Sequence, residues 1–111
     1  MQVISSDLLR GHIDAFVLSA LLDGVKYGAE IRSTIAKKSN NLYVPNEQSL
    51  YSAYHRLERD GFIQGKWGDE AEGIKRKYYD ITGEGIRYLK SLKSEWENAK
   101  ILIDILMNGG L

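Results

Sequence analysis

From residue 7 to residue 23 the apolar positions Leu9, Ile13, Phe16, Val17, Ala20 and Leu21 follow the spacing of an amphipathic helix, with Asp7 as its N-cap and Gly24 as its end. Leu8, Leu18 and Leu22 carry apolar character beyond that face, so the helix is expected to touch both its own core and another subunit. Gly11 inside the run costs about 1 kcal/mol against alanine, which blurs the boundary but not the helix. Residues 27–38 predict a second helix through Tyr27, Ile31 and Ile35, spaced by four, with Gly28 allowing close approach to a neighbour. A polar turn at residues 39–41 and an extended Leu42-Tyr43-Val44 then lead through Pro45 into the third stretch. Two short helices joined this way form a helix-turn-helix unit.

That third stretch, NEQSLYSAYHRLERDG at residues 46–61, is the helix around which the rest is organised. With Leu50 at the origin and about 100° per residue, Ala53, Tyr54 and Leu57 fall within about 60° of it, while Gln48, Ser52, His55 and Arg59 cluster about 180° away. The outer face carries amide, hydroxyl, imidazole and guanidinium groups and has no carboxylate at its centre. These groups can hydrogen-bond base edges and phosphates. Asn46 after Pro45 is a suitable N-cap, and Gly61 fits a left-handed C-terminal cap with Phe62 packing back on Leu57. Any amphipathic surface helix has such a stripe, so its neighbours decide what it is for.

After Gly61 the period changes to alternation. Phe62, Ile63 and Trp67 mark one strand, and Tyr78, Tyr79 and Ile81 a second, joined through GDEAEGI at residues 68–74 in a β-hairpin with a long loop. A hairpin after such a helix reads as the wing of a winged helix-turn-helix. Residues 82–108 form the last helix, capped by Thr82. Its Leu89, Leu92, Trp96, Ala99, Ile103 and Leu106 recur at alternating steps of three and four, a heptad seam. The helix spans roughly 40 Å, longer than a small domain covers with its own core, so the seam calls for a partner helix and a homodimer. Ile101, Leu102 and Ile105 widen the apolar surface, which the first helix of either subunit could fill.

Composition adjusts this picture only in places. The 111 residues suffice for one domain with one modest core, and no apolar run is long enough to cross a membrane. The start MQVISSDLLRGH has no signal-peptide pattern, and with no cysteine the expected location is the cytoplasm. Net charge is zero, which at face value argues against a nucleic-acid partner. Residues 32–79, however, hold nine Lys or Arg against six Asp or Glu, and the remainder six against nine, so the middle of the chain is the basic part. Lys37 and Lys38 suit the dipole at their helix end, and in a helix-turn-helix that end also lies near phosphates. Lys75, Arg76 and Lys77 open the return strand of the wing; alternation lets at most two of them share a face. Acidic Asp69, Glu70 and Glu72 at the tip would repel phosphates, so the contacts are expected at the base of the wing.

Enzyme chemistry lacks its parts. His12 and His55 are the two histidines, and no Ser-His-Asp or HExxH spacing occurs. Asp69, Glu70 and Glu72 do not match a calcium-loop register, and Gly83 with Gly85 is too little for a nucleotide loop. No cofactor is expected.

Taken in order, LLRGHIDAFVLSALLDG, YGAEIRSTI, NEQSLYSAYHRLERDGFI, WGDEAEGIKRKYYDITGEG and a tryptophan-bearing terminal helix resemble the PadR-like transcriptional regulators, specifically the short subfamily with a single C-terminal helix. The LY, RLERDG and RKYY-x-(L/I)-T-x-x-G elements carry the likeness nearly end to end. The resemblance implies a mainly α fold with a small β-hairpin (α+β). A winged helix-turn-helix over residues 1–81 would be followed by a dimerisation helix over 82–111, forming one unit with the N-terminal helix. It also implies a homodimer built from the first and last helices, through Leu9, Ile13, Phe16, Leu89, Leu92, Trp96, Ala99, Ile103 and Leu106, and repression of a double-stranded DNA operator relieved by a ligand or signal.

On this resemblance the reading helix maps to Asn46 through Arg59 and the wing to Lys66 through Tyr79. Ser49 is either a capping group or a base contact, and the Tyr51 hydroxyl is placed to reach a phosphate. Tyr78 and Tyr79 are expected to pack the wing on the body. Some relatives of this kind stack planar aromatic molecules between paired tryptophans. Trp96, with Leu8 and Ala15 as neighbours, is the candidate here, against the plainer role of filling a dimer core. Lys100, one turn on, stands where some relatives carry an acid, which disfavours cationic ligands. The alternative in a different class is a winged-helix module for protein interaction, without operator binding, for which the neutral net charge is the best support.

Overall fold

Three short helices share one apolar face each and pack their leucines and isoleucines against a common centre. A computed structural model describes residues 4–69 and 73–109. In chain order they form helix α1 (Ser6–Leu9), a 3-10 turn (Arg10–His12), α2 (Ile13–Ala20), strand β1 (Lys26–Tyr27), α3 (Gly28–Lys38), α4 (Glu47–Arg59), β2 (Ile63–Trp67), β3 (Lys77–Ile81) and α5 (Gly83–Asn108). Val17, Leu18, Leu21, Ile31, Leu50, Ala53, Tyr54, Leu57 and Ile63 are essentially solvent-free and make the core of the helix-turn-helix.

The first helix departs from the pattern expected over 7–23. Ser5 rather than Asp7 is the cap, its hydroxyl accepting the Asp7 N–H at 3.2 Å, and the run tightens into a 3-10 turn around Gly11 before α2 starts. Ala20 is the last α-helical residue, with Gly24 (φ +141°) in the turn that follows. Leu18 is buried rather than surplus, whereas Leu8 and Leu22 are exposed. Ile13 lies within the protomer's own core cluster.

The wing is a three-stranded antiparallel sheet in the order β1-β3-β2, not an isolated hairpin. Tyr27 pairs with Tyr78 and Lys26 with Tyr79, so Tyr27 belongs to the sheet and caps α3 rather than lying inside it. Its N–H donates to Glu30 Oε1 at 3.1 Å. β2 and β3 run in register from Ile63↔Ile81 to Trp67↔Lys77. Tyr79 is buried and tilts against Tyr54 at 5.0 Å, while half-buried Tyr78 meets Tyr27 edge-on at 5.5 Å, so both tyrosines pack the sheet. The acidic tip residues Glu70 and Glu72 lie outside the described residues.

α5 begins as expected, Thr82 Oγ1 accepting the Gly85 N–H at 3.0 Å. Leu89 and Leu92 pack on the core, but the helix then runs clear of it, stretching the molecule to 60 × 32 × 21 Å. Beyond Ala99 every apolar residue of α5 is exposed. Among the described residues no helix is long and apolar enough to cross a membrane.

Candidate nucleic-acid interface

α4 is fixed at both ends by local chemistry. Asn46 Oδ1 accepts the Ser49 N–H at 2.7 Å, so the part of Ser49 that is capped is its backbone, and the side chain is half-buried. At the other end Phe62 N donates to Leu57 O at 2.9 Å and Gly61 N to Glu58 O at 3.1 Å, with Gly61 at φ +81°. This is the paired closure of a Schellman cap, which a side chain at Gly61 would strain. The Phe62 ring packs against the core cluster that contains Leu57 and stacks on Tyr88 of α5 at 4.2 Å.

The turn before α4 is equally determined. Asn40 and Asn41 take left-handed backbone (φ 51° and 61°), and Asn41 N reaches Ala36 O at 2.8 Å to close α3. Asparagine tolerates this region better than most residues. The Ser39 hydroxyl bridges to the backbone of Tyr43, and Arg32 Nε donates to Pro45 O at 2.8 Å, tying α3 to the residue just before the α4 cap. Between the two helices opens a groove of about 290 Å³ whose lining includes Arg32, Ser33, Asn41 and Tyr51. Gly28 lets α3 and α4 meet: a Cβ there would stand 3.3 Å from the Tyr54 ring, whose hydroxyl donates to Gly28 O at 3.0 Å. Burial, with help from neighbouring Tyr79 and Tyr51, pushes the Tyr54 phenol well above its ordinary range, so it stays a neutral donor.

Gln48, Ser52, His55 and Arg59 are all exposed on the side of α4 opposite its buried stripe, with Asn46 exposed at its start. Tyr51 is 63% exposed and meets Tyr54 edge-on at 6.1 Å. Arg59 is held by Asp60 (Nε to Oδ1 3.0 Å, Nη2 to Oδ2 3.3 Å), and that bond keeps the Asp60 carboxyl below the usual carboxylate range. Lys37 and Lys38 are exposed at the end of α3.

In the wing, Lys66 and Lys75 are exposed and the Arg76 guanidinium lies 4.9 Å from the centroid of the Tyr27 ring. Lys77 turns the other way. Its Nζ donates to Glu58 Oε1 at 2.8 Å, while Glu58 Oε2 accepts the Gly65 N–H at 3.2 Å. The bond raises the Lys77 ammonium above its usual value and neutralises it. Thus of the three consecutive cations Lys77 is the one bound to α4, and it serves as a clasp between reading helix and wing, while Arg76 lies over Tyr27. Gly65 makes the clasp possible, since a Cβ there would stand 2.4 Å from Lys77 Cε and 2.6 Å from Glu58 Oε2. Glu58 and Arg32 escaped the sequence reading: neither lies at the centre of the polar stripe, and their partners are 19 and 13 residues away.

The second candidate site lies on α5. Trp96 is 42% exposed, and within the protomer its ring meets His12 edge-on at 5.0 Å. From His12 the aromatic contacts continue through Phe16 (6.2 Å) to Tyr43 (5.6 Å) in the turn before α4. Leu8 is exposed on α1 and Ala15 half-buried on α2. Lys100 Nζ stands 5.9 Å from the Trp96 ring centroid and is paired to Glu97 at 3.0 Å. Leu9 and Phe16 line an apolar cavity of about 460 Å³ with Ile4, Leu42 and Tyr43. Among the described residues no group of three or more His, Cys, Asp or Glu could hold a metal ion.

Comparison with known proteins agrees with this geometry. The model of the transcriptional regulator PadR-like family matches residues 17–91. An uncharacterised protein of Lysinibacillus sphaericus is 40% identical over 107 residues, covering 96% of this chain and 98% of its own length. Among solved structures, a transcriptional regulator from Clostridium thermocellum superposes with a TM-score of 0.84 at 47% identity, covering 92% of this chain and 96% of that one. A PadR family transcriptional regulator from Eggerthella lenta superposes with a TM-score of 0.82 at 28% identity, covering 93% and 88% respectively.

Proposed function

The chain belongs to the PadR-like family of transcriptional regulators, which bind DNA and are not enzymes, and from that premise we propose that it is a homodimeric repressor of a pseudo-palindromic operator. Two copies of α4 enter successive major grooves, with the wings on the flanking backbone. The observation that carries this reading is the face of α4: Gln48, Ser52 and His55 stand exposed with no carboxylate among them, over a stripe that is wholly buried. Those three read base edges. Arg59, Lys66, Lys75, Arg76 and the α3 lysines Lys37 and Lys38 hold phosphates, and Asn46, Ser49 and Tyr51 flank the reading face. Lys77 contributes indirectly, by keeping the wing at a fixed angle to α4.

The exposed seam on α5, from Trp96 to Leu106, supports the second copy. Dimerisation would cover apolar surface that the protomer leaves in water. A planar aromatic effector stacking on Trp96 would lie between the subunits, and the contacts from Trp96 through His12 and Phe16 to Tyr43 give it a route to the turn before α4.

The DNA reading is tested by titrating a labelled duplex covering the chain's own promoter with wild type and with the triple variant Arg59→Ala, Lys75→Ala, Arg76→Ala. Loss of affinity in the variant, with a shallower salt dependence, is expected. Equal affinity for both would remove the proposal and leave the protein-interaction module. The effector reading is tested by titrating planar dyes while following tryptophan emission. Quenching that persists unchanged in Trp96→Ala would show that Trp96 is not the platform.

A further inference from the structure

Trp67 is the last residue of β2 and is 57% exposed, more than Trp96. Large rings are rarely left in water without a partner, since covering them is among the most favourable burials a surface offers. The ring has two ammonium neighbours, Lys75 Nζ and Lys77 Nζ, each 5.9 Å from its centroid. Lys77 is already neutralised by Glu58, so the free charge beside the indole is Lys75, which has no acidic partner among the described residues.

The register fixes which way this pair faces. Side chains alternate along a strand, so Trp67 shares a sheet face with Ile63 and Gly65, and its partner Lys77 shares it too. That face meets α4, through the Glu58 carboxylate on Gly65 and Lys77. Trp67 therefore stands one step beyond the clasp, on the α4 side of the wing, and Gly68 follows it, its N–H bound to Arg76 O at 2.7 Å.

We propose that Trp67 and Lys75 form a shelf for the sugar–phosphate backbone of bound duplex DNA, with a deoxyribose against the indole and the adjoining phosphate on Lys75. The inference rests on the operator-binding reading and adds a contact to it. A duplex backbone alternates an apolar sugar with an anionic phosphate, which is the pairing this surface offers; bases within an intact duplex are stacked and present no face to an indole on a strand. Trp96 lacks the match, because Lys100, the cation over its ring, is paired to Glu97.

The test titrates wild type and Trp67→Phe with the promoter duplex while following both tryptophan emission and duplex binding. Emission should change in step with binding in wild type and lose that change in Trp67→Phe, which removes the indole that reports the contact. Trp67→Ala should weaken binding to promoter and unrelated duplexes alike by about tenfold with an unchanged salt slope, whereas Lys75→Ala should lower that slope by about one. A duplex that binds wild type and Trp67→Ala equally, with the same emission change in Trp67→Phe as in wild type, overturns the shelf and leaves operator binding intact. Failure of wild type to bind any duplex overturns both.

Discussion

α4 and α5 are both amphipathic, yet they dispose of their apolar faces in opposite ways. On α4 the stripe Leu50, Ala53, Tyr54 and Leu57 is consumed inside the protomer, at 2% exposure or less, and what remains outside is polar. On α5 only the first part of the seam is consumed: Leu89 and Leu92 pack on the core, while Ile103 and Leu106 are 44% and 70% exposed. The surface that a protomer leaves uncovered indicates the chemistry of whatever must cover it. Hydrogen-bonding groups without carboxylates suit DNA, and an aliphatic heptad edge suits another helix of the same kind.

The sharpest way to break this contrast is to truncate one leucine in each helix. Leu57→Ala should cost about 2–5 kcal/mol in urea unfolding, whereas Leu106→Ala should cost almost nothing in protein dilute enough to be monomeric. Comparable costs under dilution would mean that the seam is already used within the protomer. Next in size, the double variant Ile103→Glu, Leu106→Glu should keep its circular dichroism but sediment as a monomer at every concentration. Losing the linked second half-site should weaken promoter binding by about a hundredfold or more.

A smaller effect is expected at the clasp. Gly65→Ala forces Lys77 and Glu58 apart and should destabilise by about 1 kcal/mol or less, with promoter affinity falling more than affinity for unrelated duplexes. An unchanged ratio would show that the wing angle is immaterial to reading. Smallest is the response to pH. Lys77 is raised above the ordinary lysine value of 10.5 by its bond to Glu58. The contribution of Lys77 to the clasp is therefore fully present from neutral pH up to that value and is lost as pH climbs through the higher folded one. Chemical shifts of the Gly65 amide should stay flat from neutral to mildly alkaline pH, and movement there would show that Lys77 is not held by Glu58 in solution.

Legibility in the sequence followed the range of the interactions. The ends of α4 could be read because caps act within a turn: Asn46 and Gly61 need only their nearest neighbours. The seam on α5 was visible for the same reason, as periodicity along one helix. The first helix was misread as continuous because Gly11 lowers helical preference without fixing where the chain tightens, and Ser5 was passed over as a cap for the acidic Asp7 beside it. β1 has two residues and no alternation of its own; it exists only by pairing with β3. Lys77 looked like its neighbours Lys75 and Arg76 until the fold brought Glu58 opposite it, a contact that depends on Gly65 being a glycine. Long-range partners of charged residues are what a single sequence conceals.

The central claim, that the outer face of α4 reads a base sequence, is tested most directly by comparing affinity for the promoter duplex with affinity for a scrambled duplex of equal length and composition, across a salt series. Wild type should prefer the promoter at every salt concentration, and His55→Ala should lose most of that preference while keeping its affinity for the scrambled duplex. Equal affinity of wild type for the two duplexes would contradict the account.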